Sequence, residues 1–214
     1  MSVVCIVASR MNSSRFPGKV LNPLMGRPVI EHVLERCSRI RGVDRVVMAT
    51  FIAPANLSLI LFCQEKGYPT FVIAQDDENN VLQRYRWCAL DHNATIILRV
   101  THDCPLIDPE ICHKVLKKLE YGYPFAANDY PIQTYAKGLG CEAFTFETLD
   151  TAYRSATDPY DLEHVSPWMQ RHLRCGTVYN DKDESHLNYC VDYPEDIARL
   201  ENIMRGQNAR SLAG

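Results

Sequence analysis

The chain has 214 residues, 46% hydrophobic and 23% charged, with a formal net charge of -3. That length suits one globular domain burying about 70% of its unfolded surface without covalent staples, and the lack of a basic excess argues against a general nucleic-acid binder. An odd count of 9 cysteines without C-x-x-C spacing, no charged leader and no apolar run near the ~20 residues of a membrane span predict a reduced, cytoplasmic protein with no membrane attachment.

The first predicted element is a buried parallel strand, the apolar run Val3 to Ala8. The period then stops. Ser9 to Lys19 holds Arg10, Arg15 and Lys19, several hydroxyls and Pro17-Gly18, and about twenty residues separate the strand from a helix with Pro28 in its first turn. A connection that long in a compact domain is a functional loop or a solvated one. A strand, a cationic loop and a helix together make an anion site at the end of an open α/β sheet. The three cations can neutralise a polyphosphate, each charge pair at about 4 Å contributing roughly 4 kcal/mol at an effective dielectric of 20. The Walker spacing is absent, since Gly18-Lys19 lacks both the upstream glycine and a following hydroxyl.

Short strands at Arg45–Thr50 and Thr70–Ile73 flank a helix at Ala55–Lys66 with Leu57, Ile60, Leu61 and Cys63 inward, and Gly67 closes that helix. The acidic turn Gln75–Asn80 precedes a helix with Val81, Leu82, Tyr85 and Cys88 as its core stripe, capped by Asn79 or Asn80. Thr95–Val100 is the strongest strand. Asp103 follows its C-terminal end, either as a hard ligand for Mg²⁺ or as an Asx turn. Asp108, before Pro109 and Glu110, reads as an N-cap for a helix to about Leu119. After a strand at Phe125–Ala127, residues 128–142 form an aperiodic arm and a plausible acceptor wall. A strand at Ala143–Phe146 then leads to a helix from about Thr148. Glu163 and His164 are an acid/base or acceptor-binding pair, or structural. Strand signals at Gly176–Tyr179 and Leu187–Val191 precede Asp192, which reads as an N-cap of the last helix, with Glu195 three residues on as in a capping box. That helix is expected to reach about Met204, with a fraying tail. Strands alternating with helices predict an α/β fold: three layers around a mostly parallel sheet, in a single domain.

The stretch Ala8-Ser9-Arg10-Met11-Asn12-Ser13-Ser14-Arg15-Phe16-Pro17-Gly18-Lys19-Val20-Leu21 resembles the signature of the sugar cytidylyltransferases, approximately A-R-x-x-S-x-R-x-P-G-K-x-L. The branch annotated for spore-coat polysaccharide biosynthesis is the nearest in pattern. Val81-Leu82-Gln83-Arg84-Tyr85, Asp103 to Asp108 (family G-D-x-P-L-I-D), Gly138 to Phe144, Glu163 to Pro167 and Val191 to Asp196 (V-D-x-P-x-D) extend the likeness over most of the chain. Departures are Asn80 for an acid, His102 for glycine or another small residue, and Gly140 for aspartate. We expect His102 to point outward, though it could instead touch phosphates or acceptor. The resemblance implies a nucleotide-diphospho-sugar transferase-like fold and transfer of CMP from CTP to an acidic sugar for surface polysaccharide. It implies a nucleotide site of Ala8, Ser9, Arg10, Ser13, Arg15, Lys19 and Thr101, catalytic roles for Arg15, Lys19 and Asp103, and acceptor contacts from Asn128, Glu142, Glu163 and His164. It further implies Mg²⁺ held by Asp103 and Asp192, with a structural role for Asp196, and a homodimer. Two other readings stay open: a metal-dependent glycosyltransferase, for which Asp181-Lys182-Asp183 has the D-x-D spacing, and a non-catalytic nucleotide-binding relative.

Overall fold

A computed structural model of the protein describes residues 1–74 and 77–212, the stretch beyond residue 206 as backbone only. In chain order the strands are β1 (Val3–Ala8), β2 (Pro23–Leu24), β3 (Arg27–Pro28), β4 (Arg45–Phe51), β5 (Thr70–Ile73), β6 (Ile96–Thr101), β7 (Phe125–Ala127), β8 (Glu142–Thr145) and β9 (Cys175–Thr177). The helices are α1 (Val29–Cys37), α2 (Leu57–Glu65), α3 (Val81–Asp91), α4 (Pro109–Glu120), α5 (Phe146–Ser155), α6 (Pro159–His164), α7 (Pro167–His172) and α8 (Glu195–Leu212). One sheet runs β5-β4-β1-β6-β8-β7-β9. Only β8 is antiparallel to its neighbours, so β1, β4, β5, β6, β7 and β9 all end at one edge.

The period-2 rule divides the core. Cys5 and Val7 of β1 face a layer with Ile30, Val33 and Leu34 of α1, Leu59 of α2 and Val115 of α4. Val4 and Ile6 face Leu82, Tyr85 and Cys88 of α3 and Leu149 of α5. This is the three-layer architecture predicted from the alternation of elements. A third cluster, Leu24, Val29, Leu106, Val191 and Leu200, seats α8 against the β2–β3 ribbon and steadies the segment before Asp192.

The caps follow the sequence. Asn80 accepts from the Gln83 N–H at 3.0 Å, and Asp108 from the Glu110 and Ile111 N–H groups at 2.7 and 3.2 Å. Several expectations are corrected. In α2 the buried face is Leu59 and Cys63, while Leu57 and Leu61 are about half exposed; a helix apolar on all sides gives its period no preferred face. Pro28 immediately precedes α1 and pairs in the ribbon, which turns through Met25 and Gly26, both at positive φ. Residues 187–191 make a single bridge, Lys137 to Asn188, instead of a strand. β8 begins at Glu142 and gives way to α5 at Phe146 because the Thr145 hydroxyl caps the Thr148 N–H at 3.1 Å. The last helix continues past Met204 to Leu212. Gln75 and Asp76 of the acidic turn lie outside the described residues.

Candidate active site

The loop after β1 is shaped by its own backbone. The Ser9 N–H continues the ladder to the Ala49 carbonyl at 2.9 Å, the Met11 N–H donates to Asn56 Oδ1 at 2.9 Å, and the Gly18 N–H closes the loop onto the Met11 carbonyl at 2.9 Å. Gly18 has φ 73°, which turns the chain into a 3-10 turn at Lys19–Leu21. That turn buries Lys19 to 5% exposure. Its ammonium donates to Asp103 Oδ2 and the Val191 carbonyl, both at 2.7 Å, and stands 3.7 Å from Asp192 Oδ1. Arg15 reaches Asp192 Oδ1 at 2.5 Å and Lys137 reaches Oδ2 at 2.8 Å. Three cations therefore surround two carboxylates where β6 ends.

Asp192 is freed for this by a neighbour. Asp196 Oδ2 accepts the N–H groups of Asp192 and Tyr193, each at 2.8 Å, and Arg199 holds Asp196 at 2.6 Å. Asp196 thus ties the turn before α8 back onto the helix, and the Asp192 carboxylate faces the cations. Asp103 forms no Asx turn with its carboxylate; its backbone carbonyl instead accepts the Val191 N–H at 2.9 Å, tying the two acidic segments together. Burial alone would raise the Asp103 carboxyl, but the Lys19 ammonium and the Thr101 hydroxyl hold it well below the usual carboxylate range. Asp192 is lowered too, Lys137 and Lys19 overriding burial. Both donors are hard oxygens. Among the described residues no group of three His, Cys, Asp or Glu side chains gathers into a cage. Mg²⁺ asks for one or two carboxylates plus substrate phosphates and water, so this pair fits it.

Beside the carboxylates lies a cleft of about 280 Å³ between the ends of β1 and β6 and the start of α3. Ala8, Ser9, Thr101 and Asp103 line it. The Ser9 hydroxyl is buried there without a hydrogen-bond partner. Arg10 donates to Asn79 Oδ1 at 2.9 Å and stands 3.7 Å from Glu163. Arg84 is almost fully buried, its guanidinium over the Phe51 ring; burial and Arg10 lower it to about 10. His102 does not point outward: its Nδ1 bonds the Ala8 carbonyl at 2.9 Å and the ring lines the cleft. Burial pushes that imidazole down, favouring the neutral form. The arrangement can hold a polyanion over two carboxylates, with a polar slot for its other end.

Residues 4–213 match the family model described as Cytidylyltransferase. The chain belongs to the cytidylyltransferase family. These are CTP-dependent nucleotidyltransferases. It is 32% identical over 227 residues to a 3-deoxy-manno-octulosonate cytidylyltransferase of Aeromonas salmonicida, covering 95% of this chain and 86% of that one. A cytidylyltransferase structure from Leptospira borgpetersenii superposes with a TM-score of 0.85 at 24% identity, over 98% of this chain and 96% of the other. A CMP:2-keto-3-deoxy-manno-octonic acid synthetase complexed with CTP gives 0.74 at 19% identity, over 97% and 100%. These two likenesses establish the nucleotide-diphospho-sugar transferase-like fold.

The cytidylyltransferase fold brings Ala8, Ser9, Arg10, Arg15, Lys19, Thr101, Asp103 and Asp192 to one sheet edge. Ser13 is spent locally, its hydroxyl accepting the Phe16 N–H at 3.4 Å. Asn128 does not face an acceptor: it is fully buried, accepting the Cys141 N–H at 2.8 Å and donating to the Leu139 carbonyl at 2.9 Å, so it closes the arm. Glu142 is also buried, bound by Arg99 at 2.9 Å and the Ser166 hydroxyl at 2.5 Å; it positions Arg99, which does line the cleft. Glu163 and His164 line the cleft from α6, His164 against the Tyr160 ring. Asp181 and Asp183 are exposed, and Asp183 caps its own turn through the Ser185 N–H at 2.9 Å; the D-x-D spacing is turn chemistry. Sequence reasoning missed Lys137. Its pairing with Asp192 spans 55 positions, and its only local sign is the adjacent Gly138.

Proposed function

We propose that the protein transfers CMP from CTP to a hydroxyl of a sugar acid, releasing pyrophosphate, in the synthesis of a surface polysaccharide. The observation that carries this is the Lys19 ammonium set between Asp103 and Asp192, 2.7 and 3.7 Å away, beneath a cationic loop. Such a displacement needs in-line positioning and charge neutralisation more than covalent chemistry. Arg15 and Lys19 hold the triphosphate and take up charge on the departing pyrophosphate. Asp103 and Asp192 would hold Mg²⁺, which when bound neutralises phosphate charge. Arg10, Asn79 and Ser9 hold the nucleoside end. An anionic acceptor is favoured because cations outnumber carboxylates at the edge: Arg99 lines the cleft and Lys137 approaches from the arm. By their names, the Aeromonas salmonicida relative is a 3-deoxy-manno-octulosonate cytidylyltransferase and the CTP-bound structure is a CMP:2-keto-3-deoxy-manno-octonic acid synthetase.

The test is pyrophosphate release from CTP and Mg²⁺ with 3-deoxy-manno-octulosonate or N-acetylneuraminate, with the CMP-linked product identified by mass. Turnover of either supports the reading. CTP binding with no turnover of any sugar acid would contradict the acceptor class, and nucleoside diphosphate in place of pyrophosphate would contradict nucleotidyl transfer.

A further inference from the structure

Cations that hold a triphosphate do not tell cytosine from uracil. The two bases differ at C4: cytosine carries an amino group, a donor, where uracil carries a carbonyl, an acceptor. A site that prefers CTP over UTP therefore turns an acceptor toward C4. Most acceptors bordering the cleft are engaged. Asp103 Oδ2 takes the Lys19 ammonium at 2.7 Å, Glu163 stands 3.7 Å from Arg10, and the Thr101 hydroxyl lies 2.9 Å from the Cys104 thiol. His164 is exposed, with its ring against Tyr160.

His102 is placed differently. Register pairs Ala8 of β1 with Thr101 of β6, so Ser9 and His102 leave adjacent strands side by side. The imidazole leans from β6 to β1, where its Nδ1 meets the Ala8 carbonyl at 2.9 Å. A carbonyl only accepts, so Nδ1 carries the proton. At about pH 8, above the ordinary imidazole value of about 6.5, the ring is neutral and Nε2 keeps its lone pair. No bond to Nε2 is made among the described residues. The ring is thus an uncharged acceptor held in place by the end of β1. That strand end also starts the triphosphate loop, so a nucleotide with its phosphates on Arg15 and Lys19 and its base in the cleft lies over β1, on the His102 side of β6. The Arg99–Glu142 pair lies on the other side, toward β8. Ala8, Val81 and Tyr85 give the cleft apolar walls suited to a flat ring. A second polar group waits there: the Ser9 hydroxyl, 1% exposed and without a partner, can donate to the O2 carbonyl that both bases share. We propose that His102 selects the base of the donor nucleotide, its Nε2 accepting a hydrogen bond from the C4 amino group of cytosine. Uracil sets a carbonyl oxygen against the same lone pair and is refused.

The assignment rests on the nucleotidyl-transfer reading above, and the test separates the two. Calorimetric titration with Mg²⁺ at about pH 8 gives Kd for CTP, UTP and the triphosphate of the pyrimidin-2-one ribonucleoside, which has only hydrogen at C4. Wild type should bind CTP about 10–10²-fold more tightly than UTP, with the pyrimidinone between them. His102→Phe keeps a flat ring without the acceptor; it should weaken CTP and bring the CTP and UTP values within about threefold of each other. His102→Gln can turn either end of its amide to the base and should bind both nucleotides with little preference. A ring that only props the Ala8 carbonyl would shift both nucleotides together and leave their ratio unchanged, so a variant with the wild-type CTP:UTP ratio overturns the assignment. Equal binding of CTP and the pyrimidinone by wild type overturns it too, and that comparison needs no variant to fold. Failure of wild type to bind any of the three would instead contradict the nucleotidyl-transfer reading.

Discussion

Substituting Gly138 with alanine should separate the two halves of the site. Gly138 has φ 96°, and a Cβ there would lie 2.7 Å from the Tyr189 carbonyl carbon and 2.9 Å from the Cys190 nitrogen. Both obstructing atoms are backbone, and they are pinned: the Lys137 N–H donates to the Leu187 carbonyl at 2.9 Å and the Tyr189 N–H to the Lys137 carbonyl at 2.6 Å. No side-chain rotation relieves the contact, so the two chain segments must part. The left-handed conformation costs about 1–2 kcal/mol for a residue with a Cβ. Forced overpacking adds about 1–3 kcal/mol. For a domain of this size each kcal/mol lowers Tm by roughly 2–4 °C, so calorimetry should show a fall of about 4–20 °C. Parting the segments also draws Lys137 away from Asp192, so the KM for CTP with Mg²⁺ should change with stability. Gly122→Ala is the control. Its φ is 79° but nothing lies within 4 Å of its Cβ, so it should show the conformational cost alone. A Gly138→Ala protein that melts with the control would refute the argument that close approach of these backbones builds the Asp192 site.

Asp103→Asn should fold, since an amide oxygen can still accept from Lys19, and should lose about 10²–10³ in kcat; wild-type turnover would remove Asp103 from the site. Asn128→Ala leaves the Cys141 N–H and Leu139 carbonyl unpaired in the interior, at about 1–3 kcal/mol each. Urea denaturation should register that loss, and unchanged stability with a raised acceptor KM would return Asn128 to the substrate. Asp103 and Asp192 have folded values below the ordinary carboxylate pKa, so their contribution is present above about pH 4 and lost as pH falls through the lowered values. Acid unfolding should therefore begin only below about pH 4.

Much of this arrangement is written in local pattern. Apolar runs gave the positions of β1, β4, β5, β6 and β7, because a buried strand needs little more than a short β-branched stretch. Asn80 and Asp108 gave the starts of α3 and α4, because caps are chosen by neighbours within a turn. Joining Lys19 to Asp103 and Arg15 to Asp192 took more, since these pairs lie 84 and 177 positions apart; there the likeness to known sugar cytidylyltransferases brought together what periodicity could not. What stayed hidden depends on tertiary choice. The inward face of α2 is set by what packs on it, since Leu57, Leu59 and Leu61 are equally apolar. Asn128 reads as a polar residue on an arm, and only the folded arm spends both ends of its amide. Lys137 is visible as a charge, but its partner is fixed by the close pass of residues 136–139 over 187–190.

The most direct test of the account is calorimetric titration of CTP, with and without Mg²⁺, into the wild-type protein and Asp103→Asn. The account predicts that wild type binds CTP much more tightly when Mg²⁺ is present. Asp103→Asn should still bind through Arg15 and Lys19 but lose the gain from Mg²⁺. The same Mg²⁺-dependent gain in both proteins would contradict the placement of the metal and nucleotide at the end of β6.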